Sequence, residues 1–385
     1  MMVTVIFLSE HSAISNINLV VPDVPTSKLT IRNNRYKSIL IWNSPERIET
    51  SAFGFGHQPF VRNRCEVSDC VIYDNEMTMP LKEYDALIFN VHELWLTELP
   101  FFKRKRHQRF IFMTQESPAS MFLLDDKTLK INYFNWTMSY RSNSDISLLY
   151  GRILPGPSAP KTRVETRKLI EATHHPSAKN YAANKVHVVA WMASHCETPS
   201  LRETYVRQLG KFIPVDIYGG CGNFRCSRNN SHWLSDPKCY DMIELKYKFY
   251  LSFENSICDD YVTEKFFEIL NYDIVPVVYG GANYSQIAPP HSYIDALKFT
   301  PETLAKYLKL LDDNDELYNE YFWWKGHYTV EAGVEQMVRH GFCDLCKKLH
   351  QDEGVVKSYT QLMSEWHPKN KCKYFDSWET RERQS

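Results

Sequence analysis

The chain has 385 residues, with 45 Lys and Arg against 46 Asp and Glu, a formal net charge of −1. That balance excludes a field suited to nucleic acid or to an anionic membrane surface. Hydrophobic residues at 43% and charged residues at 24% exclude a disordered chain, and the length exceeds one ordinary core, which predicts two domains.

Residues 1–36 carry scattered Pro, Ser and Asn without periodicity and read as a stem or linker. No run approaches the roughly 18 apolar residues of a membrane span, and residues 3–8 are too short for a signal core. Order begins with a short apolar strand at 38–42. The segment 65–73 alternates at period two and carries Cys65 and Cys70, placed for a local disulfide. A buried-type strand follows at 86–89. The basic run 103–107 reads as a solvated helix end, because the chain as a whole is neutral.

Residues 109–113 form the next strand, and Glu116 lies just past its carboxyl end. Open α/β sheets place chemistry there, although a loop glutamate in water has the same pattern. Residues 162–173 read as a helix ended by His174, His175 and Pro176, where a histidine pair without a third ligand does not make a zinc site. A second α/β unit opens at 186–191. It continues through a helix starting near Arg202, a strand at 215–218 and a glycine turn at Gly219 and Gly220 that lets a ligand approach the backbone.

The stretch 248–265 is the most informative. Residues 249–253 read as a buried strand, Asp259 and Asp260 offer a helix N-cap, and Val262, Phe266, Ile269 and Leu270 recur at helical spacing. Tyr261, Glu264 and Lys265 would then share one face of a first turn, beside N–H groups suited to an anion. A solvated helix face is the alternative. Asp313 and Asp315 have the D-x-D pattern of metal-dependent sugar transferases, but their polar helical surroundings favour a solvated surface. Cys343 and Cys346 read as structural rather than redox cysteines. Ten cysteines and sequons at Asn135, Asn229 and Asn283 together lean towards the secretory lumen.

Residues 249–256 (FYLSFENS), 260–265 (DYVTEK) and 275–278 (VPVV) resemble the donor signature of the α1,3-fucosyltransferases, glycosyltransferase family 10. Residues 134–141 (FNWTMSYR) and 116–118 (ESP) extend the resemblance over about residues 38–372. Residues 217–226 (IYGGCGNFRC) and 52–57 (AFGFGH) are most similar to invertebrate core-type members, which fucosylate the innermost GlcNAc of N-glycans.

The resemblance implies an α/β fold of two Rossmann-like domains facing across a cleft, the GT-B type. The expected boundaries are an acceptor-binding domain at 37–180, a GDP-fucose-binding domain at 181–345 and a tail at 346–385. It implies inverting transfer from GDP-fucose to an N-glycan acceptor on a glycoprotein, with outer-antenna N-acetyllactosamine as the rival acceptor and a silent glycan-binding protein as the rival class. Glu116 matches the base, Arg202 and Lys265 the pyrophosphate cations, and Tyr261 and Glu264 donor contacts. Tyr218, Gly219, Glu254 and Asn255 are placed in the same cleft. No metal is obligatory on this reading, with stimulation by Mn2+ or Mg2+ left open, and nucleic acid is no partner. The family implies a Golgi-luminal type II protein whose N-terminal anchor is missing from this sequence.

Overall fold

The computed structural model describes residues 36–374 apart from 97–98, 122–130, 227–235, 353, 356 and 363–365. The stem expected over 1–36 lies, Tyr36 excepted, outside the described residues.

The first half forms strands β1 (Lys37–Ile41), β2 (Cys70–Tyr73), β3 (Ala86–Asn90), β4 (Arg109–Thr114), β5 (Trp136–Ser139) and β6 (Ile146–Ser147), then β7 (Gly151–Pro155). β1 to β6 make one sheet in the order β2-β1-β3-β4-β5-β6, parallel at every pairing. Every residue of β3 and β4 is buried, as strands covered on both faces should be. Alternate side chains leave the sheet on opposite sides. Ile39, Ile41, Ile88, Ile111 and Met113 enter one core, while Leu40, Leu87, Phe89, Phe110 and Phe112 enter another.

The second half contributes β8 (His187–Met192), β9 (Val215–Tyr218), β10 (Tyr247–Phe253), the short β11 (Ile257–Cys258), β12 (Val275–Tyr279) and β13 (Ile294–Asp295). Its sheet runs β13-β12-β10-β8-β9, again all parallel. The strand order reverses between β8 and β10, and a crevice opens at the carboxyl ends of strands at such a switch point. The helix Pro301–Asp312 covers this sheet with Leu304, Ala305, Leu308 and Leu311. Thr300 and Thr303 form its capping box, and Pro301 occupies its first turn.

The chain then crosses back. β14 (Tyr328–Ala332) pairs antiparallel with β7. The helix Val334–Gln351 lays Met337, Val338, Phe342, Leu345, Cys346 and Leu349 on the first sheet. The expected boundary at 345 therefore falls inside a helix of the first core. Gly341 permits this approach, since an added Cβ would stand 2.4 Å from Leu148. Cys65 pairs with Cys343 and Cys70 with Cys346, so the local disulfide expected between Cys65 and Cys70 is replaced by two long-range ones. The remaining bonds are Cys196–Cys221, Cys226–Cys239 and Cys258–Cys372. Finally Leu362 and Trp366 enter the far core of the first sheet, and β15 (Cys372–Lys373) pairs with β11.

Candidate active site

The carboxyl ends of both sheets open on one cavity of about 1220 Å3. The first half lines it with Arg47, Glu49, Gln115, Glu116 and Tyr150. The second half lines it with Ala193, His195, Arg202, Tyr218, Gly219, Asn255, Tyr261, Glu264 and Lys265. All the candidate catalytic and donor residues thus converge there except Glu254. That residue is fully buried behind the wall.

Glu116 follows the end of β4, where its N–H donates to Thr114 Oγ1 at 3.1 Å. The next residue, Ser117, is buried and donates to Ser256 Oγ at 2.9 Å, so the turn after β4 touches the turn after β10. Tyr261 Oη donates to Glu116 Oε2 at 3.5 Å.

On the opposite wall Lys265 Nζ donates to Glu264 Oε1 and to Thr263 Oγ1, both at 2.9 Å, and stands 3.5 Å from Glu254 Oε2. Burial raises the Glu254 carboxyl above its ordinary value despite the lysine. Burial also works on Glu264, but there the charge of Lys265 overcomes it and holds the carboxyl low. Burial alone would lower the Lys265 ammonium, and the two carboxylates instead raise it. Arg202 begins the helix Arg202–Leu209 with its guanidinium buried against Trp191. It donates to Phe253 O at 2.6 Å and His195 O at 3.2 Å, and its Nε has no partner among the described residues. Gly219 adopts φ +98°, and a Cβ there would meet Ala193 O at 2.6 Å. Only glycine lets these two loops close, and Cys196–Cys221 ties them.

The expected helix at 262–270 is corrected. Thr263 is its N-cap, and the α-helix is a single turn, Glu264–Phe267, followed by a 3₁₀ turn. Asp259 and Asp260 cap nothing. Asp260 sits at φ +60° and accepts from Ser142 N and Oγ. One turn supplies little dipole, so positive charge at the site comes from side chains. Tyr261 does not share a face with Lys265 but enters the core of the first half.

Other candidates separate from the site. Asn135 is buried, its carboxamide accepting from Phe110 N and donating to Lys357 O, so its sequon cannot take a glycan in the folded chain. Asn283 is exposed as the N-cap of a short helix, and Asn229 lies outside the described residues. Asp315 holds Lys248 and Asn180, and neither it nor Asp313 lines the cavity. His174 is occupied by Glu316 and Glu320. Among the described residues the single group with metal-ligand spacing is Cys70, Cys346 and His350, whose cysteines form a disulfide. The run 103–107 is a loop rather than a helix end, pinned by Arg104 to Asn132 O, Tyr133 O and Asn135. Sequence reasoning missed Arg47, which binds Glu49 and Glu93, as well as Gln115 and Tyr150. Their position after parallel strands was the available signal.

A cleft between two parallel sheets, with Glu116 on one wall and Arg202 and Lys265 on the other, can take a proton on one side and hold an anion on the other. Two family models match the chain, "Glycosyltransferase family 10 (fucosyltransferase) C-term" over residues 182–366 and "Fucosyltransferase, N-terminal" over residues 34–151. The chain is 39% identical over 320 residues to alpha-(1,3)-fucosyltransferase C of Drosophila melanogaster, covering 80% of this chain and 71% of that protein. It is 40% identical over 244 residues to glycoprotein 3-alpha-L-fucosyltransferase A of the same organism, covering 62% of this chain and 44% of that one. A crystal structure of alpha1,3-fucosyltransferase with GDP-fucose shares the fold at TM-score 0.50 and 15% identity, over 84% of this chain and 92% of the other. The chain belongs to glycosyltransferase family 10, the fucosyltransferases.

Proposed function

We propose that the protein transfers L-fucose from GDP-fucose, with inversion, in α1,3 linkage to a GlcNAc of glycoprotein N-glycans, preferring the innermost core GlcNAc. The observation that carries this reading is the placement of Glu116 and of Arg202 with Lys265 on opposite walls of one cavity. A sugar hydroxyl is a poor nucleophile and must lose its proton during attack, so a carboxylate base belongs on the acceptor side. The departing diphosphate gathers negative charge, which fixed cations stabilise without reorganising. Glu116 takes the proton, fucose inverts at its anomeric carbon, and Arg202 and Lys265 receive the GDP phosphates. These two cations make an obligatory divalent metal unnecessary on this reading, and stimulation by Mn2+ or Mg2+ remains a property to assay.

The core preference is supported by the similarity of residues 52–57 and 217–226 to core-type members. Five disulfides suit the Golgi lumen. No helix among the described residues is long and apolar enough to cross a membrane, and a type II anchor, if carried, belongs outside them.

One assay tests the reading: GDP-fucose with a core-only N-glycan and with an N-acetyllactosamine oligosaccharide, for wild type and Glu116→Gln. The variant should lose roughly 10²–10⁴ in turnover, the usual range for a general base, with GDP affinity nearly intact. Unchanged turnover removes Glu116 from the mechanism. Faster transfer to lactosamine than to the core overturns the acceptor assignment.

A further inference from the structure

Tyr261 belongs by sequence to the donor half, yet its side chain lies in the core beneath the far face of the first sheet. Its ring meets Tyr140 edge-on at 5.0 Å, and Tyr140 in turn packs on Trp366. The backbone that carries it is fixed from three sides. Asp260 accepts from Ser142 N at 3.1 Å and Oγ at 2.6 Å, Asp259 N donates to Lys371 O at 2.8 Å, and Cys258 is bonded to Cys372. The fixed backbone and the packing of the ring on Tyr140 hold Tyr261 at the cavity wall. From this fixed position its hydroxyl stands 3.5 Å from Glu116 Oε2, a long hydrogen bond of the kind that tightens when a ligand-free site fills.

We propose that Tyr261 is a positioning residue for the base: its hydroxyl donates to Glu116 and fixes the orientation of that carboxylate. The proposal rests on the reading of Glu116 as the base. Burial, followed by the charge of Glu116, holds the Tyr261 phenol far above its ordinary range, so it stays a donor at every working pH.

The other groups around Glu116 are already engaged or act in another way. Tyr150 spends its hydroxyl on Gln115 O at 2.8 Å, and Tyr140 leaves its hydroxyl without a partner among the described residues. Across the cavity Lys265 holds Glu264, and on the same side as Glu116 Arg47 holds Glu49 and Glu93. Arg202 faces carbonyl oxygens, Arg225 donates to Gly219 O and Gly222 O, and Glu335 is exposed at the wall. His195 also lines the cavity.

The decisive variant is Tyr261→Phe, which keeps the ring and removes one oxygen. Its kcat and its KM for GDP-fucose should be measured beside wild type, Tyr261→Leu and Tyr140→Phe. We expect kcat to fall about 10- to 150-fold, as for loss of one hydrogen bond to a charged group. The KM for GDP-fucose should stay within about twofold. Tyr140→Phe removes a hydroxyl from the same aromatic cluster and should leave kcat in place. A raised KM for GDP-fucose with unchanged kcat would make Tyr261 a donor contact only and overturn the proposal. So would an equal fall of kcat in Tyr140→Phe, or loss of activity in Tyr261→Leu with none in Tyr261→Phe. Persisting activity in Glu116→Gln identifies the separate failure of the base assignment.

Discussion

Glu254 and Glu264 present two carboxylates to one ammonium, and they respond to it in opposite directions. Glu254 has no exposed surface, so desolvation dominates and its carboxyl is raised. Glu264 borders the cavity, and there the pull of Lys265 outweighs burial. The signs of their linkage to stability follow. A raised carboxyl contributes stability below its unfolded pKa and loses it as pH rises towards the folded pKa. A depressed one contributes above its unfolded pKa and loses it as pH falls through the folded value. Glu254→Gln removes only the first of these. The melting-temperature advantage of wild type over this variant should therefore shrink as pH rises above the ordinary carboxylate range. A gap that widens with pH would show that Lys265 stabilises the Glu254 carboxylate more than burial penalises it.

The elements differ in how much of them the sequence discloses. β3, β4, β10 and β12 are legible because fully buried parallel strands read as near-continuous apolar runs. The helix Arg163–Ala172 is legible from its Thr162 cap. Glu116, Arg202 and Lys265 were legible as residue types at strand and helix ends, and their roles came from family resemblance. Three features were not legible because they depend on contacts distant in sequence. The 264–267 turn stops early, Tyr261 faces the opposite half, and the helix Val334–Gln351 returns to a sheet that closes near residue 147. The two disulfides of that helix span 278 and 276 residues. With either intact, the other closes only a short extra ring. Loss of the Cys65–Cys343 pair alone should cost about 2–3 kcal/mol, and loss of both pairs should exceed the sum of the single losses. Denaturant titration of the three alanine variants measures this. Simple additivity would mean that the helix docks without help from its cross-links.

For the whole molecule, the path of the chain decides whether the two sheets unfold together. The first sheet ends near residue 147, and the second occupies 187–295. β14 then pairs with β7, the helix Val334–Gln351 supplies six side chains to the first core, and β15 is bonded to the donor loop by pairing and by Cys258–Cys372. Six of the twenty buried residues of that core thus arrive only after the second sheet is complete. Residues 36–155 alone lack Met337, Val338, Phe342, Leu345 and Leu349, a loss of buried apolar area that a small domain cannot absorb. We therefore expect one cooperative thermal transition, with calorimetric and van't Hoff enthalpies equal. GDP binds the second half on the proposed reading, yet at about 100 times its Kd it should raise that whole transition, by about 2.7 kcal/mol of stability. Scanning calorimetry with and without GDP decides the matter. Two resolved transitions, of which GDP moves only one, would show that the returning helix and its disulfides decorate two independent domains rather than joining them.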